Sequence, residues 1–345
     1  MQVEDSVEGW YGLILAGDIG GTNTRLAYFA ADEERVRLVD LQVFPSRNYS
    51  ALEDVLADFL SSRKLPVDRA CFGVAGPVKR GRCVTSNLPW EVDARLLARQ
   101  LDLETALLIN DLEANAYGIA ALAPEDFVVL NEGEPNAAGN AALISAGTGL
   151  GEAGLHWERG RHTPFASEGG HADFAPRNET EVELLFYLLR RHKRVSYERV
   201  LSGPGLYNIY QFLRDTGRGE EPASLAEQLR DQDPAPIISR AALDGSSELC
   251  GRALEMFVSL YGAEAGNLAL KLMATGGLYI GGGIAPRIID KLRGDKLREP
   301  TFWTAFTAKG RLSPLLVATR VRVIMNDQTA LLGAARLAAF AETLR

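Results

Sequence analysis

Apolar positions near the start of the chain alternate before they become helical. Leu13 to Ala16 and Leu26 to Phe29 are apolar runs separated by GDIGGTNTR, Gly17 to Arg25, and Arg35 to Phe44 alternates again. The pattern predicts three consecutive antiparallel strands with a glycine turn between the first two. Ser50 with Glu53 three residues later reads as a capping box ahead of a helical run to Leu60, and Ala70 to Val74 reads as a buried strand. Arg82 to Ser86 then suggests a short edge strand, Asp93 to Leu101 a helix, Ala106 to Ile109 another buried strand and Leu112 to Leu122 a helix. That succession is an α/β layer unit.

The pattern restarts at Ala141. Ala141 to Ser145 reads as a strand, AGTGLG from Ala146 as a glycine turn, and Ala153 to Trp157 as a returning strand. The two Gly-Thr turns stand about 125 residues apart, a spacing that suggests a duplicated half; a chance likeness between glycine turns is the plainer reading. Helical patterns dominate the second half of the chain. Asn178 with Glu181 opens a helix to His192, Tyr197 to Asp215 reads as two helices broken at SGPG, and Ser224 with Glu227 starts a short one. Glu248 to Met273 is a long helix whose aromatic and Met positions read as core. Gly277 to Ile280 is a strand running into GGGI, Pro286 begins the next helix, Val321 to Met325 is a last strand and Gln328 to Leu344 a last amphipathic helix. Glu220 to Pro236 reads as an insert without an assigned role.

Composition narrows the function classes. The 345 residues, 46% hydrophobic and 24% charged, suffice for two domains, and the net charge of -8 argues against nucleic acid as the main partner. Cys71, Cys83 and Cys250 form no CxxC pair, which fits a reducing compartment, and the cytoplasm is the expected location. The acidic start MQVEDSVEGWYG lacks the pattern of a signal peptide, and the apolar window Ala265 to Ile284 is broken by Lys271 and glycines. Neither export nor a membrane span is expected.

The candidate chemistry concerns phosphate. Gly20 and Gly21 are expected to adopt positive φ and bring amide N–H groups to an anion, with Asp18 placed to hold a divalent cation; an ordinary turn is the alternative. Gly147, Thr148 and Gly149 read as a second cradle, and Gly281 to Gly283 as backbone that could lie against an adenine or ribose, or as a tight turn only. Two common nucleotide motifs fail. No Gly-Lys dipeptide exists for a P-loop, and the GxGxxG at Gly149, Gly151 and Gly154 is followed by strand-like residues where a Rossmann turn needs a helix. Asn110 and Asp111 end the apolar strand ALLI and begin a helix, so Asp111 lies at the sheet edge where α/β proteins place ligands and is either a general base for a hydroxyl or the cap of the next helix. Glu168 and His171 of the EGGH turn, with Glu198, offer directional donors and acceptors suited to a polyhydroxylated ligand, although each singly could be a solvated charge or a cap.

Taken together, these residues resemble the bacterial glucokinase family, the ATP-dependent group of the sugar kinase, actin and chaperone superfamily, over nearly the whole chain. GDIGGTNTR is similar to its first phosphate loop, LIND to its catalytic strand end and SAGTGLG to its second phosphate loop. SEGGH and YERVLSGPGLYNIY are similar to its sugar segments, and NDQTALLGAA to its second connecting helix. The resemblance implies an actin-like ATPase (ribonuclease H-like) duplicated fold: a small α/β domain of residues 1–122 completed by 326–345, and a large one of 123–325, around a cleft. It implies transfer of the γ-phosphoryl group of ATP to the 6-hydroxyl of D-glucose, feeding glycolysis, with Asp111 as base. Asn110, Glu168, His171, Glu198 and Asn87 would hold the sugar. Gly17, Asp18, Ile19, Gly20, Gly21, Thr22 and Gly147 to Gly149 would cradle phosphates, Gly281, Gly282 and Gly283 would lie near the adenosine, and Asp18 would organise Mg²⁺. A homodimer is the expected assembly. ADFAPR, Ala172 to Arg177, stands where the repressor relatives carry a Cys-rich zinc loop, so no structural zinc is expected, and a repressor is not expected either. Kinases for another hexose, or an ATP-binding module without sugar kinase activity, remain the alternatives.

Overall fold

The computed structural model describes residues 12–32, 35–62, 64–85, 87–294 and 301–344; the N-terminal MQVEDSVEGWY and Ser86 of the expected edge strand lie outside them. Two compact units emerge, one of Met1–Asp126, Thr163–Ala166 and Asn326–Arg345, the other of Phe127–His162 and Ser167–Met325.

In the first unit, β1 (Leu13–Ile19), β2 (Asn23–Ala31) and β3 (Val36–Pro45) form the antiparallel opening. Helix α1 (Leu52–Ser62) leads to β4 (Arg69–Val74), and β5 (Arg82–Val84) pairs with β6 (Glu91–Asp93) in a small separate sheet. Helix α2 (Ala94–Gln100), β7 (Leu107–Asn110) and α3 (Asp111–Gly118) come next. The main sheet has the order β3-β2-β1-β4-β7, with β1, β4 and β7 parallel. Alternation on β1 explains its central place. Leu15 and Ile19 enter one core with Leu52, Val55, Leu56 and Phe59 of α1, while Ile14 and Ala16 enter another with Ala114 and Tyr117 of α3.

The second unit begins with β8 (Phe127–Asn131), an edge strand the apolar pattern did not suggest. Strands β9 (Ala141–Ala146), β10 (Leu150–Glu158) and β11 (Arg161–Ser167) come after it, then α4 (Glu179–Leu189), α5 (Gly203–Asp215), α6 (Ala223–Asp231), α7 (Pro234–Leu243) and α8 (Glu248–Leu272). Strand β12 (Gly277–Gly281), α9 (Ile289–Arg293), α10 (Thr301–Thr307), α11 (Ser313–Ala318) and β13 (Val321–Ile324) complete it. Its sheet runs β11-β10-β9-β12-β13-β8. A hairpin with two further parallel strands recurs, β1-β2 with β4 and β7 in one unit and β9-β10 with β12 and β13 in the other. The duplication expected from the two Gly-Thr turns is therefore a duplication of topology.

Helix α12 (Thr329–Leu344) returns to the first unit, where Leu331, Ala334, Ala335 and Ala338 pack in the core of Ile14 and Ala16. Local chemistry corrects two expectations. SGPG begins a helix where a break was expected, because Ser202 caps α5 by accepting from Gly205 N at 3.0 Å and Pro204 sits in its first turn. Ser224 lies inside α6, whose preceding residue Pro222 offers no side-chain cap, so the expected capping box does not form.

Candidate active site

In the first unit the candidate residues collect along the carboxyl ends of β1, β4 and β7. Register pairs Asp18 with Gly73 and Val74 with Asn110, which sets Asp18, Asn110 and Asp111 at one edge of a parallel sheet. The first glycine turn, Gly20 to Thr22, joins β1 to β2 and is closed by Gly20 N donating to Asn23 O at 3.0 Å. Gly20 and Gly21 do not enter the left-handed region, contrary to expectation. Close approach is what demands glycine there, since a Cβ on Gly21 would lie 2.6 Å from Cβ of Asn87. That contact also brings Asn87, an expected sugar residue, against the first glycine turn.

Asp18 is held by Arg25, Nη1 to Oδ2 at 3.3 Å, and Arg25 reaches Asp327 through Nη2 at 3.1 Å. Burial pushes the Asp18 carboxyl up, Arg25 pulls it down, and the Asp327 charge adds to the rise. Arg25 and Asp327 lie inside GDIGGTNTR and NDQTALLGAA, yet nothing local in either motif marks them as partners.

The cap at α3 resolves in favour of Asn110. Its Oδ1 accepts from Leu112 N at 2.9 Å and Glu113 N at 3.4 Å, and its Nδ2 donates to Gly76 O at 3.2 Å. Asp111 is the first residue of that helix, and its Oδ1 accepts from Leu112 N at 3.0 Å. A carboxylate at the helix N-terminus sits where the macrodipole favours negative charge.

In the second unit the second glycine turn, Gly147 to Gly149, and the sugar candidates share one scaffold. Gly147 N donates to Gly149 O and Gly203 N to Gly147 O, both at 2.8 Å, so the loop is stitched to the start of α5. Glu198 Oε2 accepts from Leu150 N at 3.1 Å, and a Cβ on Gly149 would approach that oxygen to 2.6 Å. The Glu168 to His171 turn packs against the same strand. A Cβ on Gly170 would collide with Leu150 O and one on Gly169 with Glu152 Oε2, so the two glycines of EGGH are dictated by close packing on β10. His171 Nδ1 stands 3.9 Å from Glu198 Oε1, while Glu168 is exposed.

The third glycine cluster leans on the second loop. Gly282 has φ +83, a conformation glycine adopts without strain, and a Cβ there would collide with Ala146 O. Tyr261 of α8 joins the two: its hydroxyl accepts from Ala146 N at 3.2 Å and donates to Gly281 O at 3.5 Å. Full burial pushes that phenol up. The periodicity placed Tyr261 in the core; it also positions two loops, a role no local pattern signals.

The Glucokinase family model matches residues 15–341, and a glucokinase of Nostoc sp. is 42% identical over 344 residues, with 95% of this chain and 99% of the relative aligned. The chain belongs to the glucokinase family. A glucokinase from an Antarctic psychrotroph has a solved structure similar to this one with a TM-score of 0.80 at 32% identity, covering 95% of this chain and 99% of that chain. A ROK family glucokinase from Streptomyces griseus in complex with glucose and AMPPNP shares the fold with a TM-score of 0.65 at 22% identity, over 95% of this chain and 99% of that one. The resemblance read from the sequence and the actin-like ATPase fold it implied are both borne out.

Proposed function

We propose that this glucokinase-family chain transfers the γ-phosphoryl group of ATP to the 6-hydroxyl of D-glucose, giving glucose 6-phosphate and ADP, with Asp111 as general base. One observation carries the sugar half of the reading. Glu198 accepts from the backbone N–H of Leu150, the first residue of β10 after the second phosphate loop, and the Glu168 to His171 turn packs on the same strand. An ATP-binding module without a sugar acceptor has no need of directional carboxylate and imidazole groups on its phosphate loop.

Each group then has a task. Glu168, His171 and Glu198 hold sugar hydroxyls, and a hexose with a missing or inverted hydroxyl leaves one of them unpaired. Asn110 spends its Oδ1 on the helix cap and one N–H on Gly76; an amide nitrogen carries two N–H bonds, so capacity for a sugar hydroxyl remains, and Asn87 of the same unit is a further sugar contact. Asp111 accepts the proton of the attacking hydroxyl, and backbone N–H groups of Gly20 to Thr22 and Gly147 to Gly149 bind phosphate oxygens. Gly281 to Gly283 lie along the adenosine. Asp18 with Asp327 nearby offers hard oxygen donors of the kind Mg²⁺ takes alongside water and phosphate, so Asp18 is the residue that would hold it. Bound there, Mg²⁺ supplies charge neutralisation to the phosphate oxygens.

A coupled assay with ATP and a sugar panel tests this. Glucose-dependent ADP release with the highest kcat/KM for glucose is expected. ATP consumption indifferent to every hexose would return the chain to an ATP-binding module, and a higher kcat/KM for mannose, fructose or an N-acetyl sugar would reassign the acceptor.

A further inference from the structure

Directly beneath the EGGH turn lies a pair of buried carboxyls that the proposed reaction does not use. Glu152 on β10 is 1% exposed and Glu264 on α8 is 0% exposed. Glu264 is well supplied with donors, Asn267 Nδ2 at 2.7 Å and Lys271 Nζ at 3.1 Å. Glu152 is not: its Oε1 is buried without a hydrogen-bond donor, and its carboxyl faces that of Glu264. Two carboxylates cannot bond each other, whereas a carboxylic acid can donate to a carboxylate. One shared proton satisfies the orphaned oxygen and removes a second buried negative charge.

The same cluster reaches both segments proposed to hold the sugar. Glu152 Oε2 packs where a Cβ of Gly169 would be, one residue after Glu168. Asn267 Nδ2 also donates to the hydroxyl of Tyr197 at 3.1 Å, one residue before Glu198, and Lys309 Nζ donates to Asn267 Oδ1 at 2.6 Å. We propose that Glu152 is a proton-carrying positioning residue: neutral, it donates to Glu264 and seats the Glu168 to His171 turn for the sugar, and loss of that proton weakens sugar binding.

Burial, then the Glu264 charge, raises the Glu152 carboxyl from the ordinary 4.5 to about 7, with Lys271 opposing. Both charged neighbours come from α8; Lys309 and Arg177 act further along, on Tyr197 and Glu264. The folded-state value exceeds the unfolded one, so stability from the neutral form is complete below the ordinary glutamate range. It is lost as pH climbs through about 7.

The inference rests on the assignment of Glu168 and His171 to the sugar, and the test separates the two. Glucose Kd is measured by calorimetry from about pH 6 to about pH 8.5, with ligand-free melting alongside from about pH 4.5, for the wild type, Glu152→Gln and Glu264→Gln. The wild-type Kd is expected to rise on the alkaline side, approaching about tenfold per pH unit if only the protonated form seats the turn. Glu152→Gln keeps a donor toward Glu264 with no proton to lose, so this rise should disappear. Any part from other groups persists and is read by difference. In Glu264→Gln the onset of the rise should move to lower pH, because the repelling charge that helps keep the proton on Glu152 is gone while burial still raises its carboxyl, and this variant carries the test if Glu152→Gln folds poorly. The melting temperature of Glu152→Gln relative to wild type should climb between the ordinary glutamate pKa and about pH 7, then level. An identical Kd profile in wild type and Glu152→Gln overturns the positioning role. A melting difference without glucose binding at any pH overturns the sugar assignment and, with it, the positioning role, leaving the carboxyl pair itself standing.

Discussion

Asn110 and Asp111 are neighbours with separable duties, and substitution can part them. Asn110 supplies the helix cap, so Asn110→Ala should cost about 0.5–2 kcal/mol of stability, measured by denaturant unfolding. It should also raise KM for glucose, since the same amide is proposed to meet the sugar. Asp111→Asn keeps size and removes basicity. With the cap on Asn110, this change should leave stability nearly unaltered while kcat falls ~10²–10⁴-fold and glucose Kd moves far less. Near-normal turnover in Asp111→Asn would show that the proton leaves by another route.

At the scale of elements, long helix α8 does more than fill the core. Its Tyr261 hydroxyl ties Ala146, just before the proposed second phosphate loop, to Gly281, at the start of the third glycine cluster. Tyr261→Phe leaves a buried Ala146 N–H without its acceptor, a loss of about 1–3 kcal/mol, and should raise KM for ATP by roughly three- to tenfold with glucose Kd much less affected. Steady-state kinetics with each substrate varied distinguishes this from a general loss of stability. Tyr261 also marks where sequence reading stops. Hairpins, the strand end at Asn110 and the second Gly-Thr turn were legible because alternation and turn residues are local. FVVLN of β8 carries neither alternation nor a turn signal and becomes an edge strand only by pairing with β13. Helices α7, α10 and α11 were likewise not legible, since their short apolar runs depend on the surrounding core. The Glu152 and Glu264 pair joins a strand to a distant helix, and no spacing rule reports such a meeting.

For the molecule as a whole, scaffold and site should respond to different perturbations. The first unit is closed by α12 from the far end of the chain, where Leu331 is fully buried among residues that include Ile14 and Ala16 of β1. Leu331→Ala should lower ligand-free stability by about 2–5 kcal/mol. Glu168 is exposed, and Glu168→Gln should change ligand-free stability by no more than about 0.5 kcal/mol. Glucose reverses the order of the effects. A ligand that binds only the folded state adds about 2.7 kcal/mol at a hundred times its Kd, an increment set by affinity alone. Leu331→Ala should keep that increment on a lower baseline, whereas Glu168→Gln should keep the baseline and lose much of it at the same glucose concentration. Thermal melts with and without glucose give all four quantities. An undiminished glucose increment in Glu168→Gln would remove that carboxylate from the sugar site and leave Glu198 and His171 to define it.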